Sequence, residues 1–167
     1  KVVIVSGIGP GLGQELSTLA AREGAAAVVL AARTPAKLDV AEQEIRALGL
    51  GTAVLQVPTD IADEAQCKAL ADRAVQEFGR IDVLFNSAYD PGSFEPVEEA
   101  SMAGWKRAMD VNFFGTMHLT QACVRYMKDS GGGASVMIAT MVEHKPLATQ
   151  AGYGSSKAAL RCATKHL

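Results

Sequence analysis

The sequence is poor in the features that mark several protein classes. Cysteine occurs three times, at Cys67, Cys123 and Cys162, widely spaced and in no C-x-x-C pair. An odd, scattered set argues against a disulfide framework or a zinc site and reads as small core or helix residues. His118 and His166 lack partners at metal-ligand spacing, so no metal is expected. No apolar run approaches the roughly 18 residues of a membrane span, and no signal-peptide pattern precedes the first run. Charge of one sign is not in excess: 16 Lys and Arg against 18 Asp and Glu leave a net charge of -2, which implies neither a nucleic-acid nor a membrane partner. No internal repeat or low-complexity stretch occurs. These absences point to a cytoplasmic protein with one domain over residues 1–167, large enough to bury about two-thirds of its unfolded surface. There is no initiator methionine; the chain opens with Lys1 almost inside an apolar run, as if a few residues were missing before it.

That run, Val2 to Val5, is short and β-branched, which suits a strand buried on both faces at the centre of a parallel sheet. Ser6, Gly7, Ile8, Gly9, Pro10, Gly11, Leu12 and Gly13 follow, and then a helical period with Leu16, Leu19 and Ala20 on one face. The glycines therefore sit where a strand turns into a helix. Such a turn lets backbone N–H groups approach a pyrophosphate, and the helix start adds about half a positive charge.

The rest alternates strand and helix. Ala27 to Ala31 reads as strand two. Thr34 and Pro35 supply a helix cap and a first-turn proline, and that helix runs to about Leu48, ending at Gly49 and Gly51. Thr52 to Val57 is strand three, Asp60 to Phe78 is mostly one helix closed by Gly79, and Ile81 to Phe85 is strand four. Four strands with intervening helices in about 85 residues predict a doubly wound, right-handed parallel α/β sheet in three layers. Asp90 to Ala100 is too rich in Pro and Gly to be regular, and belongs on a rim. Ser101 can cap one long helix to about Met127, with Trp105, Ala108, Met109, Asn112, Gly115, Thr116, Leu119 and Ala122 on a shared face. Asn112 stands out there, because an inward amide without partners is destabilising by about 1 to 3 kcal/mol. After Gly131 to Gly133, Ala134 to Ala139 is strand five, ended by Thr140.

Tyr153-Gly154-Ser155-Ser156-Lys157 places Tyr and Lys four apart, on one helix face. A free tyrosine titrates near about pH 10 and is a poor acid-base catalyst at neutrality. A cation about 4 Å away is worth up to about 4 kcal/mol at an effective dielectric near 20, enough to bring it into range.

Ser6 to Gly13 resembles the T-G-x-x-x-G-[IL]-G loop of short-chain dehydrogenases and reductases, with Ser for Thr. Tyr153 and Lys157 match that family's Y-x-x-x-K pair, and the order of the remaining segments agrees. The resemblance implies a Rossmann fold and hydride transfer between NADP(H) or NAD(H) and a small carbonyl or secondary alcohol. Tyr153 would be the acid-base group. Lys157 would lower its pKa and bind the nicotinamide ribose. Thr140, thirteen residues before Tyr153, stands where the family has a serine that holds the substrate oxygen; it keeps the donor but is stiffer at χ1. Asn112, in a segment like V-N-x-x-G, would hold a water that feeds protons inward, unless it is a structural amide.

The cofactor would lie on Gly7, Ile8, Gly9, Pro10, Gly11, Leu12 and Gly13. Asp60 and Ile61 match the segment at the adenine edge, although Asp60 could equally cap the next helix. Asn86, Ser87 and Ala88 resemble N-N-A-G, with Tyr89 where the glycine stands; Asn86 also suits a turn, and Tyr89 could line the site. Ala32 occupies the position where an acid would select NAD. Arg33 follows it and can pair with a 2′-phosphate, so NADP(H) is favoured, with a solvated surface arginine as the bland reading. Pro10 stands where a second basic residue is common. Met141, Val142, Pro146 and Leu147 should form an apolar wall, and Glu143, His144 and Lys145 should be solvated. The family continues for two more strands and a substrate lid, so residues 1–167 would be incomplete at the C-terminal end. Pairing through the helices at 101–127 and from 153 onward would give a homodimer or homotetramer. A catalytically weak nucleotide-binding regulator of the same fold is the alternative function. A sugar-nucleotide epimerase or dehydratase, which can share the Tyr and Lys, usually differs in glycine spacing and has a larger substrate domain.

Overall fold

The computed structural model describes all residues, 1–167. Five strands, β1 (Val2–Ser6), β2 (Ala27–Ala32), β3 (Ala53–Pro58), β4 (Val83–Asn86) and β5 (Ala134–Met137), form one sheet in the order β3-β2-β1-β4-β5. Every pairing is parallel. The helices are α1 (Leu12–Arg22), α2 (Pro35–Ala47), α3 (Glu64–Phe78), α4 (Met102–Met109), α5 (Thr116–Asp129) and α6 (Ala151–Thr164). The expected doubly wound α/β sheet is present, with strand order reversing at β1. Parallel sheets need cover on both faces, and the alternation along the central strands shows it. Val2, Ile4, Val29 and Ala31 pack with Cys67, Leu70, Leu119 and Cys123 from α3 and α5. Val3, Val5, Val28 and Leu30 pack with Ala21, Leu38, Ala41 and Ile45 from α1 and α2 on the other side. The reversal opens a crevice at the carboxyl ends of β1 and β4, the place where such sheets bind ligands. No helix is long and apolar enough to cross a membrane.

Several boundaries differ from expectation. On α1 the buried residues are Gly13, Ser17, Thr18 and Ala21, and Leu19 is half exposed, because the helix lies close to the sheet and only small side chains fit beneath it. The helix predicted from Asp60 starts at Glu64: the carboxylate of Asp63, not Asp60, accepts from Gln66 N–H and caps it. Strand five stops at Met137. The long helix from Ser101 is interrupted by a π-helical segment, Asp110–Gly115, between α4 and α5. A Cβ at Gly115 would lie 2.7 Å from the Ile61 carbonyl oxygen, so backbone passes backbone there without a side chain between. Cys67 and Cys123 are buried, as expected, and burial pushes both thiols up to about 12. They are therefore unreactive packing residues.

The sequence did not signal the importance of Asp82. Its side chain is 2% exposed and takes the Val2 N–H at 2.7 Å, two Arg80 nitrogens, and the more distant Lys1 ammonium. Burial alone would raise its carboxyl; Arg80 and the Val2 amide overcome that and hold it below the usual carboxylate range. Its backbone meanwhile donates to Val2 and accepts from Ala134. One residue thus joins the starts of β1, β4 and β5.

Candidate active site

A cleft of about 410 Å³ opens at the crevice. Its floor and one wall are the glycine turn. Gly7 has φ 85°, and a Cβ there would lie 2.3 Å from Ala88 N, so this position admits no side chain. A Cβ at Gly13 would lie 2.2 Å from the Gly7 carbonyl oxygen, which brings α1 onto the turn. The amides of Gly7 and Ile8 both donate to the Ala31 carbonyl, at 2.8 and 3.2 Å. These two residues therefore shape the turn with their N–H groups already engaged. The helix start differs: α1 has no side-chain cap, and neither Leu12 nor Gly13 N–H has an acceptor in the chain. Free amides at the positive end of a helix, beside glycines that leave room, fit a pyrophosphate. Gly9, Pro10 and Leu12 also line the cleft; Gly11, φ 108°, adjoins it without lining it.

At one end the cleft is lined by Ala32, Arg33, Thr34 and Lys37. Neither Arg33 nor Lys37 is in an ion pair. Sequence reasoning found Arg33 and missed Lys37. Pro10 leaves the loop without a cation, and Lys37 supplies one from the first turns of α2: its Nζ lies 3.6 Å from where a side chain at Gly9 would begin. Its place four residues after Arg33, just inside a helix that Pro35 starts, was the available signal. Asp60, Ile61, Ser87 and Ala88 line the middle. The Asp60 carboxylate accepts from Ala62 N–H at 3.0 Å, within its own turn. Asn86 lies elsewhere. It ends β4 with its side chain beneath the floor, where Nδ2 reaches Thr120, Ser135 and Met137 and Oδ1 has no partner. It ties the strand to α5 and β5 and does not line the cleft.

Tyr153 and Lys157 line the other end, with Tyr89, Asp90 and Ile138. Both project from α6, one turn apart. Lys157 is 2% exposed, and its Nζ donates to the Ile138 carbonyl at 2.8 Å. Burial pushes its ammonium down from 10.5 to about 8, against a partial upward pull from Glu143. Tyr89 packs edge-on against Tyr153, with ring centroids 6.4 Å apart. So the residue standing where the glycine of N-N-A-G was expected lies on the wall beside Tyr153.

Asn112 and Thr140 do not line the cleft. The Asn112 side chain, fully buried in the π-helical segment, accepts from Asp90 N–H and donates to the Asp90 carbonyl, both at 2.8 Å. Its Nδ2 also donates to Ser156 Oγ at 2.9 Å, and Ser156 in turn donates to the Tyr153 carbonyl at 2.7 Å. Both amide hydrogens are engaged, so the side chain fastens loop, π-helical segment and α6 together. The Thr140 oxygen accepts from Val142 N–H at 3.3 Å, starting a 3₁₀ turn (Met141–Glu143). That orients the hydroxyl and leaves its proton free to donate. Met141, Val142, Pro146 and Leu147, expected as an apolar wall, do not line the cleft; Met141 and Leu147 are 68% and 56% exposed, and Val142 packs toward Gly154. Glu143 is not solvated either, since its side chain is 2% exposed and paired with Arg161 at 2.6 Å.

This geometry has close relatives. A model of the short chain dehydrogenase family matches residues 1–167. The 7alpha-hydroxysteroid dehydrogenase of Escherichia coli K12 is 35% identical over 159 residues, 95% of this chain and 60% of that protein. A crystal structure of NAD+-bound xylitol dehydrogenase superposes with a TM-score of 0.94 at 31% identity, over 99% of this chain and 63% of that one. An alcohol dehydrogenase from the archaeon Thermococcus sibiricus, complexed with 5-hydroxy-NADP, superposes with a TM-score of 0.91 at 25% identity, over 99% of this chain and 69% of that one. The chain spans about three-fifths of the length of the first two. With the glycine turn, the uncapped helix start and the Tyr153 and Lys157 pair all on one cleft, this chain belongs to the short-chain dehydrogenase family.

Proposed function

We propose that residues 1–167 are the dinucleotide-binding and catalytic part of an NAD(P)-dependent oxidoreductase acting on a small carbonyl or secondary alcohol. One observation carries this reading: Tyr153 and a buried Lys157, one helical turn apart, lie on the cleft into which the free amides of α1 also open. The cofactor, when bound, supplies the hydride chemistry. The chain's own residues manage charge and protons. Leu12 and Gly13 N–H receive the pyrophosphate, and Arg33 and Lys37 receive a 2′-phosphate, which favours NADP(H) over NAD(H). Lys157 holds a positive charge on the same helix face as the Tyr153 phenol, in a poorly solvated place, and Tyr153 is the group that gives or takes the proton. Thr140 donates a hydrogen bond to the substrate oxygen. Ile138, by accepting from Lys157, fixes where that charge sits. Asn112, whose amide hydrogens are engaged by Asp90 and Ser156, holds α6 in register with the Asp90 loop beside any water it carries.

The test is turnover of NADPH and NADH against a panel of carbonyls, with Tyr153→Phe beside the native protein. Tyr153→Phe should lose about a thousandfold or more in kcat while binding cofactor normally, since only the proton-transferring oxygen is removed. Cofactor binding with no turnover that depends on Tyr153 would support a nucleotide-binding regulator instead.

A further inference from the structure

Glu143 lies outside the cleft, beyond the residues assigned so far, and is the most enclosed carboxylate near Lys157. It ends the 3₁₀ turn that starts at Thr140. Two contacts join that turn to α6. Arg161 Nε donates to Glu143 Oε2 at 2.6 Å, and Val142 Cγ1 lies 3.3 Å from where a side chain at Gly154 would begin. Arg161 is four residues beyond Lys157, so both cations project from one face of the helix, and Glu143 meets that face from the turn. The Glu143 side chain is 2% exposed while that of Arg161 is 46% exposed. The acid is inside and its partner faces water.

We propose that Glu143 is a positioning residue for the reacting pair: held by Arg161, its enclosed carboxylate supplies counter-charge to Lys157 and locks the Thr140 turn against the helix bearing Tyr153. This rests on the proposed roles of Tyr153 and Lys157. The groups facing Lys157 support it. Just past the end of β5 it meets the neutral Ile138 carbonyl. On its own helix stand Tyr153 and, one turn on, Arg161. At the same end of the cleft is Asp90, already paired with Arg107; farther along it are Asp60 and the distant Arg33 and Lys37. Burial drives the Lys157 ammonium down, and Glu143 is the carboxylate that pulls it back up. A charge in a poorly solvated site acts on its neighbour with little screening, so removing it is felt at Nζ.

The experiment compares Glu143→Gln and Arg161→Ala with the native protein by two readouts. One is the pH dependence of kcat/KM; the other is a carbon-13 NMR titration of the lysine Cε in the cofactor-free protein, assigned with Lys157→Met. Glu143→Gln keeps the shape and removes the charge. It should move the alkaline limb and the Lys157 titration to lower pH by about half to one unit. Arg161→Ala keeps the carboxylate, so it should lower kcat several-fold by freeing the turn without moving the Lys157 titration downward. An unchanged Lys157 titration in Glu143→Gln overturns the proposal, whatever happens to the rate. If Glu143→Gln does not fold, Glu143→Asp withdraws the carboxylate by one methylene, and absence of any shift there is equally fatal. Because the NMR titration needs no turnover, it still judges Glu143 if Tyr153→Phe proves fully active and the proposed chemistry fails.

Discussion

The two ends of the cleft are built from different materials. At the glycine end, β1, β2 and α1 shape the site with main chain: Gly7 and Ile8 N–H on the Ala31 carbonyl, free amides at Leu12 and Gly13, and positions where no Cβ fits. At the other end the work falls to side chains from three elements, with Asn112 of the π-helical segment, Glu143 of the 3₁₀ turn, and Ser156, Lys157 and Arg161 of α6. A site made of backbone tolerates almost any side chain except at a few fixed spacings. A site made of side chains depends on contacts between residues far apart in the chain.

The sharpest way to break this contrast is Gly7→Val. It places a branched side chain at positive φ against Ala88 N, and should destabilise the protein by about 3 kcal/mol or more or abolish cofactor binding, read by thermal denaturation and NADPH fluorescence titration. A tolerated Gly7→Val would mean that the turn is not fixed by its backbone. Next comes the edge of the sheet away from the cleft, where β1, β4 and β5 start. Asp82→Asn removes the ionic bonds to Arg80 and weakens the acceptor for Val2 N–H, with an expected loss of about 1 to 3 kcal/mol in urea unfolding and no change in the KM for cofactor. The glycine end has one part made of side chains, so Arg33→Ala with Lys37→Ala isolates it. The double change should weaken binding of adenosine 2′,5′-bisphosphate about thirtyfold while leaving 5′-AMP within about threefold, by calorimetry. Equal losses for both ligands would remove the 2′-phosphate assignment.

The smallest effect belongs to Lys157. Its folded ammonium titrates at about 8 against 10.5 when exposed, so between those values the unfolded chain holds more protons than the folded one. Stability should therefore rise with pH through that window, relative to Lys157→Met, by about 1 to 2 kcal/mol after solvent relaxation. A flat difference between the two proteins from pH 7.5 to about 10.5 would show that Lys157 is not desolvated. The same titration predicts that kcat/KM falls above about pH 8 as the charge beside Tyr153 is lost.

This division also explains what could be read in the sequence. The alternation of strands and helices, the glycine turn and the Tyr153 and Lys157 pair follow from periods and spacings within short stretches, and all were legible. Arg33 was legible because it directly follows a strand. Lys37 was not, because its relation to Gly9 exists only once α2 is docked. Asn112 stood out as an inward polar residue, yet its partners are 22 and 44 positions away in sequence. Asn86 and Ile8 were placed on the cofactor by resemblance; Ile8 lines the cleft, with its amide taken by Ala31, whereas the Asn86 side chain lies off the cleft and is committed to the sheet. Glu143 looked like part of a hydrophilic run, and only the return of α6 past the turn encloses it. Asp63 against Asp60 shows the local limit: two acids three apart both suit a helix start, and the choice falls to the one three residues before Gln66.

The two-way bond between Asn112 and the Asp90 main chain divides the rim into a fixed part and a free part. Residues up to Asp90 are bolted, through Asn112 and Ser156, to the helix that carries Tyr153. Just beyond lies Gly92 at φ 69°, and from there to Ala100 the chain is irregular, with Phe94 and Val97 largely exposed. Changes in length or composition beyond Gly92 would thus leave the bonds among Asp90, Asn112 and Ser156, and the helix they hold, unaltered. Two parts of one rim can then vary independently, separated by a single amide.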